Sequence, residues 1–390
     1  MKRKQLTILL ALVVLIGAAG WLVRQRNSNS WQSASQSIGQ KLLPDLPVND
    51  IAQITIKSDT NELNLAKRDN LWRVRERHDY PANFSQISDL LLKFAGLKIA
   101  QTEDVGPSQL GRFQLLPPGA GTNTGTQIEF KNADGKTRGS VLLGKQHLNK
   151  PAGNSQFGGM GGEGWPDGRY VMAGGTKTVA LVSDALENVQ PQPAQWLAKE
   201  FFNIQKPRRI AVEFPVATNS WELTRASETN DWQLADAKAD EKLDAAKISS
   251  VTSPFASPTF SDVLPGDTAP GISGLTNVTT LTATTFDDFT YTIKIGSQKD
   301  GDFPVALTVT ADLPAERVAG KDEKPADKTS LDKEFNDHKQ QLTEKLAREK
   351  QCEKWIYLLP AYTVDSLLKP RGQLLEEPKK ETKTAASTGK

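Results

Sequence analysis

The residue types that carry most protein chemistry are sparse in this chain, and their spacing fits no familiar catalytic or metal-binding motif. The sequence has one cysteine, Cys352, and three histidines, His78, His147 and His338. A single cysteine excludes an internal disulfide and any cysteine-cluster metal site. The histidine spacings match no zinc motif. We therefore predict no metal and no cofactor, and we assign no catalytic, cofactor-binding or metal-binding residue.

Two further patterns have the form of functional motifs. Residues Gly159–Gly164 satisfy GxGxxG, but a dinucleotide fingerprint needs a strand before it and a helix after it. The turn-forming residues 165–168 follow instead, so we predict a flexible loop. The adjacent acids Asp287 and Asp288 are interpreted as part of a hairpin turn. The alternative is a hydrolytic pair, which needs two carboxylates at a defined separation across a substrate.

The charge balance argues against a nucleic-acid partner. The 390 residues include 48 basic and 46 acidic side chains, which gives a formal net charge of +2. Proteins that neutralise many phosphates need a concentrated basic surface. We therefore predict no nucleic-acid binding.

The N-terminal region predicts a membrane anchor. Leu6–Val23 is an uncharged, mostly apolar run of 18 residues, near the length that a helix needs to cross a bilayer. Residues 1–5 are slightly more basic than the stretch after Val23, so the N-terminus is expected in the cytoplasm and the bulk in the periplasm or outside. The alternative is a signal peptide cleaved near Gly17–Gly20. Both interpretations export the globular part, and the first places it on the bacterial inner membrane as a single-pass protein.

The rest of the chain is organised around an internal repeat. Ile54 and Val212 are 158 residues apart, Trp72 and Trp232 are 160 apart, and Ile87 and Ile248 are 161 apart. A constant offset through strands and a helix indicates two similar halves. The predicted segments are a linker at 24–47, a first repeat at 48–203, a second repeat at 204–369 and a disordered tail at 370–390.

Period-two alternation in both halves predicts strands, and isolated helical stretches lie among them. The expected fold is therefore α+β: an N-terminal transmembrane helix followed by two similar α+β domains with mostly antiparallel sheets. Each half is expected to end with a short helix, the first at 182–186. Insertions are expected before each final strand, at 149–168 and at 313–353. The second contains a predicted helix at 331–351, whose thin apolar stripe would pack on its own domain or on a partner.

Aromatic and basic residues add two candidate surfaces. Trp72 and Trp232 lie in predicted strands and are interpreted as core residues, although tryptophan also suits a binding platform. Arg73, Arg75 and Arg77 alternate, so one strand face would show three guanidinium groups. A solvated strand face is the simpler interpretation, and an acidic partner is the alternative.

These features together resemble domain-of-unknown-function family 4340. The resemblance covers nearly everything up to about residue 370, and it is carried by the N-terminal membrane helix and by several short motifs. These are Leu71-Trp72-Arg73-Val74, the helix at Phe84–Leu92, Gly111 to Leu115 with Pro117, Leu143-Gly144, and Arg169-Tyr170-Val171. The resemblance implies a non-enzymatic accessory role beside a gliding-motility-type ABC transport system.

Three functional hypotheses follow. The first is a non-enzymatic, membrane-anchored extracytoplasmic accessory protein, a subunit or partner of an ABC-type transport complex. The second is a module that binds an envelope polysaccharide or lipid through exposed aromatic residues such as Trp165 or Trp221. The third is an acid-dependent hydrolase with two carboxylates in a deep cleft.

Overall fold

The chain folds as two compact units that divide between Ala198 and Lys199, a few residues before the predicted boundary at 203/204. The computed structural model describes residues 38–149, 165–239, 241–253, 255–320 and 323–376. Unit 1 ends at Ala198 and unit 2 begins at Lys199. Each described unit consists of antiparallel strands and a few helices, so the predicted α+β class is confirmed.

Several predicted features lie outside the described residues. They are the basic end at 1–5, the membrane helix at Leu6–Val23, the first part of the linker, the GxGxxG motif at Gly159–Gly164, and residues 377–390 of the tail. Within the part of the chain that the structure describes, no helix is both long enough and apolar enough to span a membrane.

Unit 1 is built on a nine-stranded sheet with the order β4-β3-β2-β1-β6-β7-β8-β9-β5. The strands are β1 Gln53–Lys57, β2 Glu62–Arg68, β3 Leu71–Val74, β4 Tyr80–Pro81, β5 Ile99–Glu103, β6 Thr126–Lys131, β7 Thr137–Asn149, β8 Trp165–Ala173 and β9 Val179–Val182. One helix, α1, spans Phe84–Gly96, and short 3-10 helices lie at Val48–Asp50, Arg75–Arg77, Pro107–Phe113 and Pro193–Trp196.

The alternating apolar residues of β1 organise the core of unit 1. Ile54 and Ile56 are fully buried, because successive residues of a strand point to opposite faces. Ile54 pairs with Leu65 of β2 and with Phe130 of β6. Buried apolar rows on three neighbouring strands therefore form the surface that α1 covers.

The helix α1 forms where the sequence changes from period two to helical spacing. Asn83 caps its start, with its side-chain oxygen accepting a hydrogen bond from the Gln86 amide at 3.2 Å. Ile87, Leu90, Leu91 and Phe94 are buried on one side of the helix. The Phe94 ring lies 5.2 Å from the ring of Phe130, so α1 packs directly on the centre of the sheet.

Unit 2 is built on an eight-stranded sheet with the order β12-β11-β10-β14-β15-β16-β17-β13. The strands are β10 Pro207–Glu213, β11 Trp221–Thr224, β12 Gln233–Leu234, β13 Asp262–Pro265, β14 Thr279–Thr285, β15 Phe289–Ile295, β16 Asp302–Ala311 and β17 Trp355–Pro360. The helices are α2 Ala245–Thr252, α3 Pro270–Ser273, α4 Lys328–Lys350 and α5 Ala361–Val364, with 3-10 helices at Ala217–Asn219, Gln351–Lys354 and Arg371–Leu374.

The predicted helix at 331–351 is observed as α4, Lys328–Lys350. It lies against β16 of its own unit. Phe335, Leu342 and Leu346 of the predicted apolar stripe are half-buried there. The structure thus shows the apolar stripe of α4 packed on its own unit.

Ordered structure extends beyond both predicted limits. In the segment predicted as linker, Leu42 and Leu46 are buried, and the Leu42 amide donates to the Leu97 carbonyl at 2.8 Å. In the segment predicted as tail, Leu374 is buried and Arg371 bonds to Asp236 and Glu241. Apolar burial and ion pairing order residues whose local composition is typical of a linker.

The short helix predicted at 182–186 is wrong. Val182 is the last residue of β9, and Leu186 has a backbone φ of 50°. The side chain of Asp184 accepts a hydrogen bond from the Leu186 amide at 2.8 Å. This Asx-type turn offers the backbone an alternative to a helix.

The predicted strand face with three arginines is also wrong. Arg73 lies in β3, but Arg75–Arg77 forms a 3-10 helix. The reason is Glu76, whose carboxylate accepts hydrogen bonds from the amide and the side chain of Asn64. These contacts hold the 3-10 helix against β2, so its residues do not continue β3.

Gly144 offers a test of unit 1. A Cβ at this position would lie 2.3 Å from the Phe113 carbonyl oxygen and 2.8 Å from the Leu115 side chain. Gly144→Ala should destabilise the chain by about 1–3 kcal/mol, because backbone cannot move aside cheaply. The free energy of unfolding in guanidinium chloride measures it. Gly96→Ala is the control, since a Cβ there meets nothing within 4 Å; equal unfolding midpoints for the two variants would contradict the contact.

Candidate functional site

A groove in unit 1 is a candidate site among the described residues. Its volume is about 340 Å³, within the range of ligand sites in proteins. One wall is α1, which contributes Gln86, Asp89, Leu90 and Lys93. Their spacing of three, four and seven residues places them on one helix face. The groove wall therefore combines one apolar and three polar side chains.

The opposite wall is formed by the segment that comes directly after β9 in the chain, and part of this segment has an unusual backbone conformation. Leu186 lines the groove with a φ of 50°, which a bulky side chain seldom adopts. Its carbonyl accepts a hydrogen bond from the Arg169 guanidinium at 3.1 Å, and Arg169 also donates to the Gly144 carbonyl at 2.9 Å. Since burial lowers the pKa of Arg169, this guanidinium is a desolvated structural clamp. The wall is thus fixed before any ligand arrives.

The floor of the groove contains Trp196, which is only 1% exposed. The indole N–H donates to the Gln190 carbonyl at 3.0 Å. The Trp196 carbonyl accepts from the Asn83 amide at 2.8 Å, beside the start of α1. Floor and helix are therefore joined by backbone hydrogen bonds, and the groove keeps its shape.

An ion pair lies beside the groove and connects its two walls. The Lys93 ammonium is 2.8 Å from a carboxylate oxygen of Asp184. Burial raises the pKa of Asp184, but hydrogen bonds from Lys93 and from the Leu186 amide outweigh this effect and hold the pKa below its usual value. Asp184 therefore stays ionised at neutral pH and holds the Lys93 ammonium beside the groove.

The lining of the groove combines apolar and polar groups. Its residues carry one carboxylate, that of Asp89, and one ammonium, that of Lys93. The groove thus has an apolar floor with amide, carboxylate and ammonium groups at its rim, which is a typical recognition surface.

A second polar cluster lies on the β7–β8 hairpin. His147 Nδ1 is 2.6 Å from Asp167, and both side chains are about 40% exposed. The His147 ring also contacts Tyr170, with centroids 6.1 Å apart. Trp165 begins β8 and is 64% exposed. Among the described residues, no group of three or more His, Cys, Asp or Glu side chains is placed to hold a metal ion.

The most deeply buried charges lie in unit 2, where they attach α4 to the sheet. Glu349 is 1% exposed. It bonds to Lys345, and it accepts from the Tyr291 hydroxyl at 2.8 Å and from the Asn203 amide at 3.1 Å. Burial, followed by the Glu349 charge, raises the pKa of Tyr291. Because these groups satisfy one another, we assign the network to fold stability.

The other residues singled out in the sequence are dispersed. Trp72 is buried, as predicted, but Trp232 is half-buried and lies just before β12, under the Arg225 guanidinium at 4.8 Å. Trp221, a candidate platform, is buried, and its indole N–H donates to the Lys369 carbonyl. Asp287 and Asp288 do lie in the β14–β15 turn. Cys352 is a free, buried thiol.

The groove itself was missed by sequence reasoning. Only the polar spacing on α1 was a local signal, and polar residues on a helix usually mark a solvated face. The second wall comes from a segment about 100 residues later, whose conformation depends on Asp184 and Arg169.

Comparison with known families gives one match. Residues 72–278 match the family described as Domain of unknown function (DUF4340). The chain belongs to this family. No curated protein matches the chain, and no solved structure does. The predicted family membership is thus confirmed, and the function has to be argued from the residues of the chain.

The ion pair at the groove predicts a pH-dependent stability. Because the pKa of folded Asp184 lies below that of the unfolded chain, its stabilisation is present above about pH 4 and is lost as the pH falls further. Asp184→Asn should cost about 1 kcal/mol at pH 7, a modest value because the pair is partly exposed. The difference from the parent should shrink towards pH 3 in chemical denaturation.

Asp89→Asn is the matched control for this prediction. Asp89 lies on the same groove and forms no ion pair among the described residues. Its replacement should leave the free energy of unfolding unchanged at pH 7. A pH-independent loss in Asp184→Asn would show that the carboxylate charge is not what holds the wall.

Proposed function

We propose that the protein is a non-enzymatic, membrane-anchored extracytoplasmic accessory protein that acts by binding within an ABC-type transport complex. The observation that carries the binding role is the groove of unit 1. Its walls are fixed by hydrogen bonds, its floor is apolar, and its rim is polar. A preformed site of this kind binds without the cost of ordering itself. A short segment of a partner protein, with an apolar side chain flanked by polar backbone, fits this chemistry.

The membrane placement rests on the sequence. Leu6–Val23 has the length and apolarity of a single span, and the basic residues before it favour a cytoplasmic N-terminus. The proposed location is the bacterial inner membrane, with units 1 and 2 in the periplasm or outside. The transport complex as partner is supported by the resemblance to the family.

We also propose that units 1 and 2 are similar domains that arose by internal duplication. In unit 1 the first strand, β1, lies between β2 and β6, and in unit 2 the first strand, β10, lies between β11 and β14. In both, a helix connects one edge of the sheet to the other: α1 joins β4 to β5, and α2 joins β12 to β13. A close approach recurs as well. A Cβ at Gly144 would lie 2.3 Å from the Phe113 carbonyl oxygen, and one at Gly296 would lie 2.4 Å from the Gly274 carbonyl oxygen.

The proposed equivalence changes the interpretation of the two insertions. It matches β8 with β16 and β9 with β17. Residues 150–164 then lie between β7 and β8, whereas α4 lies between β16 and β17. The insertions therefore occupy different connections, contrary to the sequence prediction. Each domain has its own addition, which supports different roles for the two units.

A second candidate function is binding of an envelope polysaccharide or lipid. The observation in its favour is Trp165, which is 64% exposed near the polar pair of His147 and Asp167 on the same hairpin. An exposed indole beside hydrogen-bonding groups is a common platform for apolar faces of sugars and lipids.

Photocrosslinking in intact membranes tests the leading proposal. A photoreactive amino acid at Asn188, on the rim of the groove, should form adducts with subunits of a membrane transport complex. Asn61 is the matched control, because it is an exposed asparagine in a turn of the same unit away from the lining residues. Mass spectrometry identifies the adducts.

The same experiment separates the candidates. Protein adducts at 188 and none at 61 support the accessory role. Glycan or lipid adducts from a second probe at Asn149, opposite Trp165, that are lost in Trp165→Ala would favour the second candidate. A chain that forms no adduct at 188 and is solubilised only as a monomer would overturn the leading proposal.

A further inference from the structure

An exposed apolar and basic surface lies where the described chain joins unit 1. Ile38 is 53% exposed, and Leu92, near the end of α1, is 60% exposed. Lys41 and Lys98 are exposed and lie opposite each other in a β-bridge. Leu92 precedes Lys98 by six residues, so their Cα atoms are at most about 13 Å apart. We call Ile38, Lys41, Leu92 and Lys98 the anchor-side surface.

Hydrogen bonds hold the first described residues in place on this surface. The Gly39 amide donates to the Ile99 carbonyl at 2.8 Å, and the Ile99 amide donates to the Gln40 carbonyl at 2.9 Å. Leu42 and Leu97 are buried. Because side chains alternate along paired strands, the burial of Leu42 and Leu97 turns Lys41 and Lys98 outward. The exposure of both lysines is thus set by the fold.

Neither Lys41 nor Lys98 forms an ion pair among the described residues, whereas Lys93 is committed to Asp184. Exposed carboxylates are close along the chain, at Asp45 and Asp89. The surface is therefore mixed in charge, with an apolar contribution from Leu92 and Ile38. Phe84, 66% exposed at the start of α1, extends this apolar character along the helix.

The length of the preceding chain limits how far this surface can lie from a bilayer. Fourteen residues, 24–37, separate the proposed anchor from Ile38. For a flexible linker, as the composition predicts, this length corresponds to a root-mean-square span of about 20 Å. A unit of this size has a radius of gyration of about 15 Å, which corresponds to a diameter of about 40 Å. The expected mean span is about half the width of the unit, which favours the side of unit 1 that carries Ile38 as the side next to the membrane.

We propose that the anchor-side surface rests on the lipid surface of the membrane, with Leu92 and Ile38 at the headgroup boundary and Lys41 and Lys98 against anionic headgroups. This inference rests on the proposed membrane anchor and adds the orientation of unit 1. Amphipathic side chains of this kind bind at the interface, and lysines add attraction to anionic lipid. Unit 1 is then held against the bilayer, and the groove keeps a fixed height above it.

A depth-sensitive label tests the orientation. The full chain is placed in vesicles of phosphatidylethanolamine and phosphatidylglycerol, with a fluorophore on Leu92→Cys and with brominated lipids as the quencher. Cys352 is buried, so labelling under native conditions is directed to the new thiol. We expect a clear loss of fluorescence at position 92. The loss should be smaller in vesicles without phosphatidylglycerol, and smaller again in the Lys41→Glu, Lys98→Glu double variant.

Leu71→Cys is the matched control, because Leu71 is 56% exposed and lies on β3, next to the sheet edge opposite β5. Its label should keep its fluorescence. Equal quenching at 71 and 92, or none at 92, overturns the orientation if the chain still resists alkaline extraction from the vesicles. Extraction at alkaline pH would instead overturn the membrane anchor itself. A label at 92 that becomes shielded only in native membranes, and insensitive to lipid quenchers, would show a protein contact and also overturn the inference.

Discussion

The contact between α1 and the central strands of unit 1 is the constraint on which the rest of that unit depends. Phe94 packs on Phe130, and Ile87, Leu90 and Leu91 complete the buried side of the helix. Once this side is fixed, the rotation of α1 is fixed too. A second face of α1 then lines the groove, and a third face of the same helix is exposed. One helix therefore serves the core, the candidate site and the outer surface, because residues at different spacings point in different directions.

In unit 2, a buried ion pair and its hydrogen bonds attach the helix α4 to the sheet. A helix as polar as α4 has few apolar groups with which to attach to a sheet, and its C-terminal part is held by Glu349, Lys345 and Tyr291. Desolvating a carboxylate is costly, and here an ammonium, a hydroxyl and a backbone amide satisfy it. The attachment is specific in geometry, since each partner comes from a different element. The rest of the helix stays solvated, as its composition indicates.

Much of the fold was visible in the sequence because local pattern and burial agree there. The alternation around Ile54 and Ile56 predicts β1, and the spacing from Phe84 to Leu91 predicts α1. The strand β5 was missed because its sequence, IAQTE, is largely polar and its residues are mostly not buried. It is a strand because β9 supplies hydrogen bonds. β9 was missed in turn because VALV is too short to show a period.

The candidate site was less predictable, for a physical reason. In the left-handed conformation of Leu186, its amide donates to Asp184 and its carbonyl accepts from Arg169, and nothing in a leucine indicates this. Glu349 and Lys345 look like a surface pair four residues apart on a charged helix. Only Tyr291 and Asn203, which are distant in sequence, make the pair a buried one. Such sites arise from long-range contacts, which a local pattern does not record.

The strand order of unit 1 has a consequence for how the chain acquires its structure. Strands β1 to β4 form a local meander, but β1 must also pair with β6, and β5 must wait for β9, with Ile99 opposite Val182. Bringing together segments some 80 residues apart is slow relative to local hairpin formation. During synthesis, the edge at β5 therefore stays open until about residue 182 has emerged. Residues 38–42, which are made first, hydrogen-bond to the other edge of β5, so the edge that later receives β9 has no cover from them in this interval.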